Sequence, residues 1–294
     1  MTGATLLRAR PADILNVLFL VFLTSLTVLF RDRLENPPLL IGLYSLMILL
    51  QAVTILIREK GRFPRLLHAF IFPTISILVV FDSLGRLVHP LNPHDIDPLL
   101  IRIDYRLFGC YPTVALERIM TPFLTDLLQL AYMSYYFIPI SLGVVLYLRG
   151  RDEEFDRTLF FIMLCFYLSY IGYLLFPALG PRYTMAHLQN RGLEGLFLSG
   201  RIQHLLNSLE GIKRDAFPSG HTGIALTTLY LAFVYERRLF AVLLPLVAAL
   251  VFSTVYCRYH YGIDVIGGVL LTVITIFMGE AVYGCRTKRI DTGR

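Results

Sequence analysis

The sequence predicts an all-α polytopic membrane protein: a bundle of about eight transmembrane helices, with interfacial amphipathic helices in the long connections. Three observations predict it. The 294 residues are 56% hydrophobic, above the roughly 45–50% of soluble domains, and mean hydropathy is +0.64. Apolar stretches of spanning length recur along the whole chain, and a helix of about 17–25 such residues crosses a bilayer with its backbone satisfied internally. Cationic residues cluster in alternate short connections, the pattern that sets membrane orientation.

The spans are expected at about 13–30, 38–57, 67–86, 122–148, 157–177, 219–235, 239–257 and 262–284. The first exceeds the apolar run of a cleavable leader, and Arg31, Asp32 and Arg33 follow it rather than a small-residue cleavage site, so it reads as a retained helix. Residues 1–66, with two spans and little chemistry, form an expected peripheral pair beside a six-helix core at 67–284, with a basic cytoplasmic tail at 285–294.

Two connections are too long to be turns. Residues 87–121 carry His89-Pro90, Asn92-Pro93 and Asp97-Pro98. Leu99, Leu100, Ile103 and Leu107 then interleave with Arg102, Asp104 and Arg106, predicting an interfacial amphipathic helix with Gly109 as its C-cap. In 178–217, Leu193, Leu196, Phe197, Leu198, Ile202, Leu205 and Leu206 alternate with Arg191, Glu194, Arg201, Gln203 and His204. This segment reads as a short amphipathic cover over the mouth of a site.

A net charge of +6 raises the possibility of nucleic-acid binding, and its distribution argues against it. With the N-terminus inside, Arg8, Arg10, Arg58, Lys60, Arg62, Arg65, Arg149, Arg151, Arg157, Arg237, Arg238, Arg286, Lys288, Arg289 and Arg294 all fall in short cytoplasmic segments, as the positive-inside rule requires. Both termini are then cytoplasmic, and the polar motifs described next face the periplasm, the exterior or a lumen. Cys110, Cys165, Cys257 and Cys285 show no paired spacing, so neither a disulfide framework nor a zinc site is expected.

Ionisable groups at membrane depth are costly and are by default functional candidates. Pro218-Ser219-Gly220-His221 opens the sixth span. Proline suits a first helical turn, glycine allows close backbone approach, and helix-start N–H groups favour phosphate. Ser219 adds a hydroxyl and His221 an acid/base. About forty residues on, Arg258-Tyr259-His260-Tyr261-Gly262-Ile263-Asp264 places a carboxylate four residues after an imidazole, beside it on one face if the segment is helical. Asp264 could then hold one ring nitrogen and leave the other to attack. Arg182, in Gly180-Pro181-Arg182-Tyr183, offers a planar partner for phosphate oxygens. Each cluster alone also suits a bland role: a helix start, a His–Asp pair satisfied inside a bundle, a snorkelling arginine. Their coincidence at one membrane face favours chemistry. Tyr132, Tyr135 and Tyr136 read as residues that pack or line the bundle, and Asp126 in the fourth span as a weaker candidate for substrate or acceptor contact.

Together these clusters resemble the type 2 phosphatidic acid phosphatase superfamily of lipid phosphatases and haloperoxidases, recognised by K-x6-R-P, P-S-G-H and S-R-x5-H-x3-D. The second motif is complete at Pro218–His221; the third reads Ser253-Thr254-x5-His260-x3-Asp264, with Thr254 where arginine is expected. The first is degenerate, because Arg182 follows its proline and Leu175 stands in place of lysine. Ser253-Thr254 and the run Asp97-x6-Asp104-x2-Leu107-Phe108-Gly109 are closer to the inositol-phosphorylceramide-synthase-like branch, whose members can move a phospho-headgroup between lipids. The resemblance implies His260 as nucleophile, Asp264 as its orienting partner, and His221 as the acid that protonates the leaving alcohol and then activates water or an acceptor. Ser219, Gly220 and Arg182 would bind the phosphoryl oxygens. Arg258, one turn after Thr254, is expected to replace the missing arginine, and Lys213 and Arg214 the missing lysine. No cofactor is expected, and no carboxylate cluster suited to a metal is evident.

The expected activity is therefore a lipid phosphatase acting on a lipid phosphate or pyrophosphate through a phosphohistidine. A phosphotransferase of the same fold, moving a phospho-headgroup to an alcohol or lipid acceptor, stands as the alternative. A transporter predicts matched broken helices in two repeated halves, and the sequence has no such symmetry.

Overall fold

The computed structural model describes residues 9–197, 200 and 212–291, with side chains through 283. Its described elements are helical, with no strand among them. The longer ones are, in order, α1 (Pro11–Leu29), α2 (Pro37–Ile57), α3 (Arg62–Leu84, with a π-helical turn at Leu67–Ile71), α4 (Asp97–Phe108), α5 (Pro122–Met133), α6 (Ile138–Leu148), α7 (Asp152–Leu175), α8 (Gly220–Tyr235), α9 (Arg237–Tyr256) and α10 (Gly262–Asp291). Contacts divide the chain into two compact units, Met1–Pro93 and His94–Arg294.

Six helices (α1, α2, α3, α7, α9 and α10) are long and apolar enough to cross a membrane, or seven if α5 and α6 form one span bent by 47°. The count is lower than the eight expected because α8 has 16 residues. At about 1.5 Å per residue it reaches roughly 24 Å, short of the ~30 Å hydrocarbon core. It begins two residues after Pro218, because Ser219 takes the N-cap and accepts from Thr222 N. The amphipathic reading of 99–108 corresponds to α4, which ends in the left-handed region at Gly109. Of the expected cover, Leu198, Arg201, Ile202, Gln203, His204, Leu205 and Leu206 lie outside the described residues.

In the first unit, one buried polar chain ties the three helices. Asp13 accepts from Arg10 Nη2 (3.1 Å) and Gln51 Nε2 (3.1 Å), and its other oxygen lies 3.1 Å from His68 Nε2. Asn16 Nδ2 donates to Gln51 Oε1 (2.8 Å), and Asn16 Oδ1 accepts from Ser76 Oγ (2.8 Å). Each link satisfies a polar group that would be costly in an apolar interior, which makes helix registry specific.

The second unit is built around α8, which packs on α7, α9 and α10. Its small residues allow this: Thr222, Gly223, Ala225, Thr227 and Thr228 are buried. Gly268 of α10 comes close as well, since a Cβ there would lie 2.6 Å from Thr222 Cβ and 2.7 Å from Ser219 O. Leu130, Phe137, Val242, Leu270 and Phe277 face outward, as lipid-facing residues do. At one end of this unit the cations are paired: Arg149 with Glu236, Arg151 with Glu154 (3.0 Å) and Arg157 with Glu280. The polar motifs gather at the other end, where α8 and α10 begin and α7 and α9 finish.

Candidate functional site

The N-terminal turn of α8 and the turn joining α9 to α10 meet back to back. Ser219 N donates to the Asp264 carbonyl (3.1 Å), and the Thr254 carbonyl receives both Tyr259 N and His260 N (3.0 Å each). The Ser253 and Thr254 hydroxyls turn back onto carbonyls of their own helix, Leu250 O and Val251 O. Thr254 thus contributes its backbone, and no side chain, to the placement of His260.

His260 is buried, and its Nδ1 lies 2.7 Å from Ala216 O. A carbonyl only accepts, so Nδ1 carries the proton and Nε2 presents its lone pair. Nε2 faces His221 Nδ1 at 3.4 Å. Asp264 lies 3.5 Å from Nδ1, behind the Ala216 bond, and its Oδ2 accepts from Tyr261 N at 2.8 Å. This differs from the expected pairing on one helical face, because His260 lies in the turn and α10 begins only at Gly262. At the first turn of α10 the carboxylate is drawn to the free N–H of a helix start. Its Oδ1 is buried without a partner among the described residues.

His221 is enclosed by aromatic rings. Tyr132 stacks on it with centroids 4.5 Å apart and planes at 26°, and Tyr135 approaches to 4.2 Å. Tyr132 also stacks on Tyr259 (4.1 Å), whose ring carries the Arg182 guanidinium at 5.7 Å. Tyr135 reaches His221 from the 3₁₀ turn at the α5–α6 bend. Sequence periodicity placed these tyrosines in the bundle lining and gave no signal of the stack.

One pocket takes in His221, His260, Arg182, Lys213, Tyr259 and Asp215. Asp215 was not among the sequence candidates; burial pushes its carboxyl up to about 6. Its position six residues before His221, beside Lys213 and Arg214, is the one signal in the sequence by which it could have been found.

Four of the expected phosphate ligands, Arg258, Arg214, Ser219 and Gly220, are not in the lining of that pocket. Arg258 donates to Glu117 Oε1 (2.8 Å) and Arg191 O (2.6 Å) and is absent from the pocket lining. The periodicity that put it on the face of Thr254 breaks where α9 ends at Tyr256, and Arg258 takes a left-handed φ of 64°. Arg214 binds Asp95 through two contacts of 2.7 and 3.1 Å. Ser219 is fully buried, its oxygen occupied as the α8 cap. Gly220 lies against Tyr173, whose hydroxyl would be 2.4 Å from a Cβ. A larger cleft of about 500 Å³ borders Glu117, Arg191, Tyr105 and Tyr111, and contains neither histidine. Among the described residues no three His, Cys, Asp or Glu side chains group as metal ligands, and Cys110, Cys165 and Cys257 are free.

The PAP2 superfamily model matches residues 99–278. An inositol phosphorylceramide synthase of Candida albicans is 28% identical over 226 residues, covering 70% of this chain and 46% of that protein. A PA-phosphatase related-family protein of Dictyostelium discoideum is 23% identical over 181 residues, covering 53% of this chain and 32% of that protein. The chain thus spans less than half the length of either relative. No solved structure matches. With more than half of its length matched, and with both histidine clusters inside the match, the chain belongs to the PAP2 superfamily.

Proposed function

We propose that the protein is an integral membrane enzyme that hydrolyses a lipid phosphate or pyrophosphate through a phosphohistidine on His260. The observation that carries this is the imidazole pair, Nε2 of His260 facing Nδ1 of His221 at 3.4 Å in a pocket shared with Arg182 and Lys213. The Ala216 bond keeps the proton on Nδ1, so Nε2 attacks phosphorus as the phosphorus–oxygen bond to the leaving group breaks. Asp264 opposes the positive charge then formed on the ring. His221 gives its proton to the leaving oxygen, takes one from water, and the resulting hydroxide cleaves the phosphorus–nitrogen bond to release phosphate. Arg182, Lys213 and the N–H groups that open α8 stabilise the transferring phosphoryl oxygens.

The pocket is proposed to face away from the cytoplasm. This rests on the clustering of Arg149, Arg151 and Arg157 at the opposite end of the same helices, together with the positive-inside rule.

Transfer to an alcohol acceptor is the second reading. It is favoured by the likeness to an inositol phosphorylceramide synthase and by Thr254 where the phosphatase motif has arginine. The same phosphohistidine serves both. Product analysis separates them: purified protein in detergent is offered phosphatidic acid, a polyprenyl pyrophosphate, phosphatidylglycerol phosphate and a sphingolipid phosphate, with and without alcohol acceptors, beside His260→Ala. Free phosphate from the wild type alone supports hydrolysis, and a phospho-headgroup on the acceptor supports transfer. Equal product from His260→Ala rejects both.

A further inference from the structure

The transfer chemistry leaves Asp97 and Asp104 of the interfacial helix α4 without a role. They stand seven residues apart, two helical turns, and so share one face with Leu100 between them. All three are about 2% exposed, while Leu99, Leu107 and Phe108 point outward.

Asp104 accepts from Gly262 N (2.9 Å) and Ile263 N (2.7 Å). These are the first free N–H groups of α10, so the helix carrying Asp264 is capped from another element. The adjoining N–H, Tyr261 N, is the one Asp264 itself takes. Asp97 accepts from Leu179 N and Gly180 N (2.9 Å each) and from the Tyr261 hydroxyl (2.7 Å). It therefore joins the loop that presents Arg182 to the segment that presents His260. That junction is tight: Gly180 has φ +89°, and a Cβ there would lie 2.8 Å from Tyr259 O.

We infer that Asp97 and Asp104 are positioning residues for phosphoryl transfer, with Asp104 setting His260 and Asp264 for attack and Asp97 setting Arg182 for anion binding. The assignment rests on the phosphohistidine reading of the site. It divides the labour in a measurable way. A displaced nucleophile costs transition-state binding more than ground-state binding, whereas a displaced arginine weakens every phosphate-like anion.

The test uses the full-length protein in detergent, with orthovanadate as a five-coordinate transition-state mimic and orthophosphate as a ground-state anion. Dissociation constants are measured beside thermal unfolding, and Arg102→Gln on the exposed face of α4 is the control. Asp104→Asn keeps one acceptor for two N–H groups. It is expected to weaken vanadate on the order of tenfold to a hundredfold, the scale on which small misplacements act, and to leave phosphate within about twofold. Asp97→Asn is expected to weaken both anions by a similar factor of roughly five or more. Asp104→Glu and Asp97→Glu, which keep the charge and move it by one methylene, report if the amides fail to fold. Folded variants that bind both anions like wild type, whatever their melting temperatures, overturn the inference and leave the aspartates as packing residues. Vanadate binding by His260→Ala equal to wild type, or none by wild type, overturns the phosphohistidine reading instead.

Discussion

Glu117→Gln separates the phosphate-clamp role that the sequence suggests for Arg258 from the ion pair that the structure gives it. A phosphate clamp needs its guanidinium free toward substrate. In the structure Arg258 and Glu117 are 7% and 10% exposed as side chains and meet at 2.8 Å, with Asn190 N also on the carboxylate (3.1 Å). Arg258 Nε is already buried without a partner among the described residues, and burial lowers the guanidinium pKa. Removing the carboxylate charge leaves a buried cation with only neutral partners, chiefly Arg191 O (2.6 Å), to offset its lost hydration. Breaking such a pair from one side costs about 3–5 kcal/mol. At roughly 2–4 °C per kcal/mol for a unit of this size, the melting temperature should fall by on the order of 10 °C. Arg258→Met alone should fall less, because the carboxylate it exposes still has Asn190 N. The double variant, with both charges gone, should recover part of the loss, giving a coupling of about 1–3 kcal/mol. The assay is thermal unfolding in detergent for the four members of the cycle, with turnover measured on the same samples well below every transition. A double variant that regains stability and works within about threefold of wild type fits a structural pair. Arg258→Met that melts like wild type yet loses turnover by a hundredfold or more refutes this reasoning and restores Arg258 as a clamp.

Further outcomes follow from single contacts. Gly268→Ala places a methyl 2.6 Å from Thr222 Cβ and 2.7 Å from Ser219 O; overpacking of this kind costs about 1–3 kcal/mol, read as a lower melting temperature with reduced turnover because the start of α8 is pushed. Tyr132→Leu removes the stack on His221 and Tyr259, worth about 0.5–1.5 kcal/mol beyond area; turnover should fall by up to roughly tenfold while Tyr132→Phe stays near wild type, and equal loss in both would point to the hydroxyl instead. Asp215 has a folded pKa of about 6 against an ordinary 3.8, so between those values the folded state holds the extra proton. Stability should therefore fall as pH rises from about 4 to about 6, and Asp215→Asn should remove that fall; parallel melting curves for both proteins across pH 4–7 would contradict the assignment.

How much of this was legible in the sequence depends on whether a feature is local. Spans, the amphipathic stripe of α4 and its glycine cap are written in the 3.6-residue period and in turn chemistry, and could be read directly. The two histidines drew attention for the same kind of reason: each is a costly polar residue beside an apolar run. What could not be read are contacts that cross the chain. Arg258 lies one turn beyond Thr254 only while the helix continues, and α9 stops at Tyr256, so its periodicity pointed to the wrong partner. Glu117 is 141 residues away and carries no local mark. The approach of Tyr135 to His221 depends on the bend between α5 and α6, which periodicity treated as one straight span. Asp97 and Asp104 fall between these cases. Their spacing of seven, with Leu100 between, already puts two carboxylates on the apolar side of an amphipathic helix, where charge is expensive. The sequence alone therefore shows that they must be satisfied, and by groups rich in free donors. A helix start and an extended loop are the two commonest sources of such donors. That the ones they meet present Asp264 and Arg182 is the step that only the fold supplies.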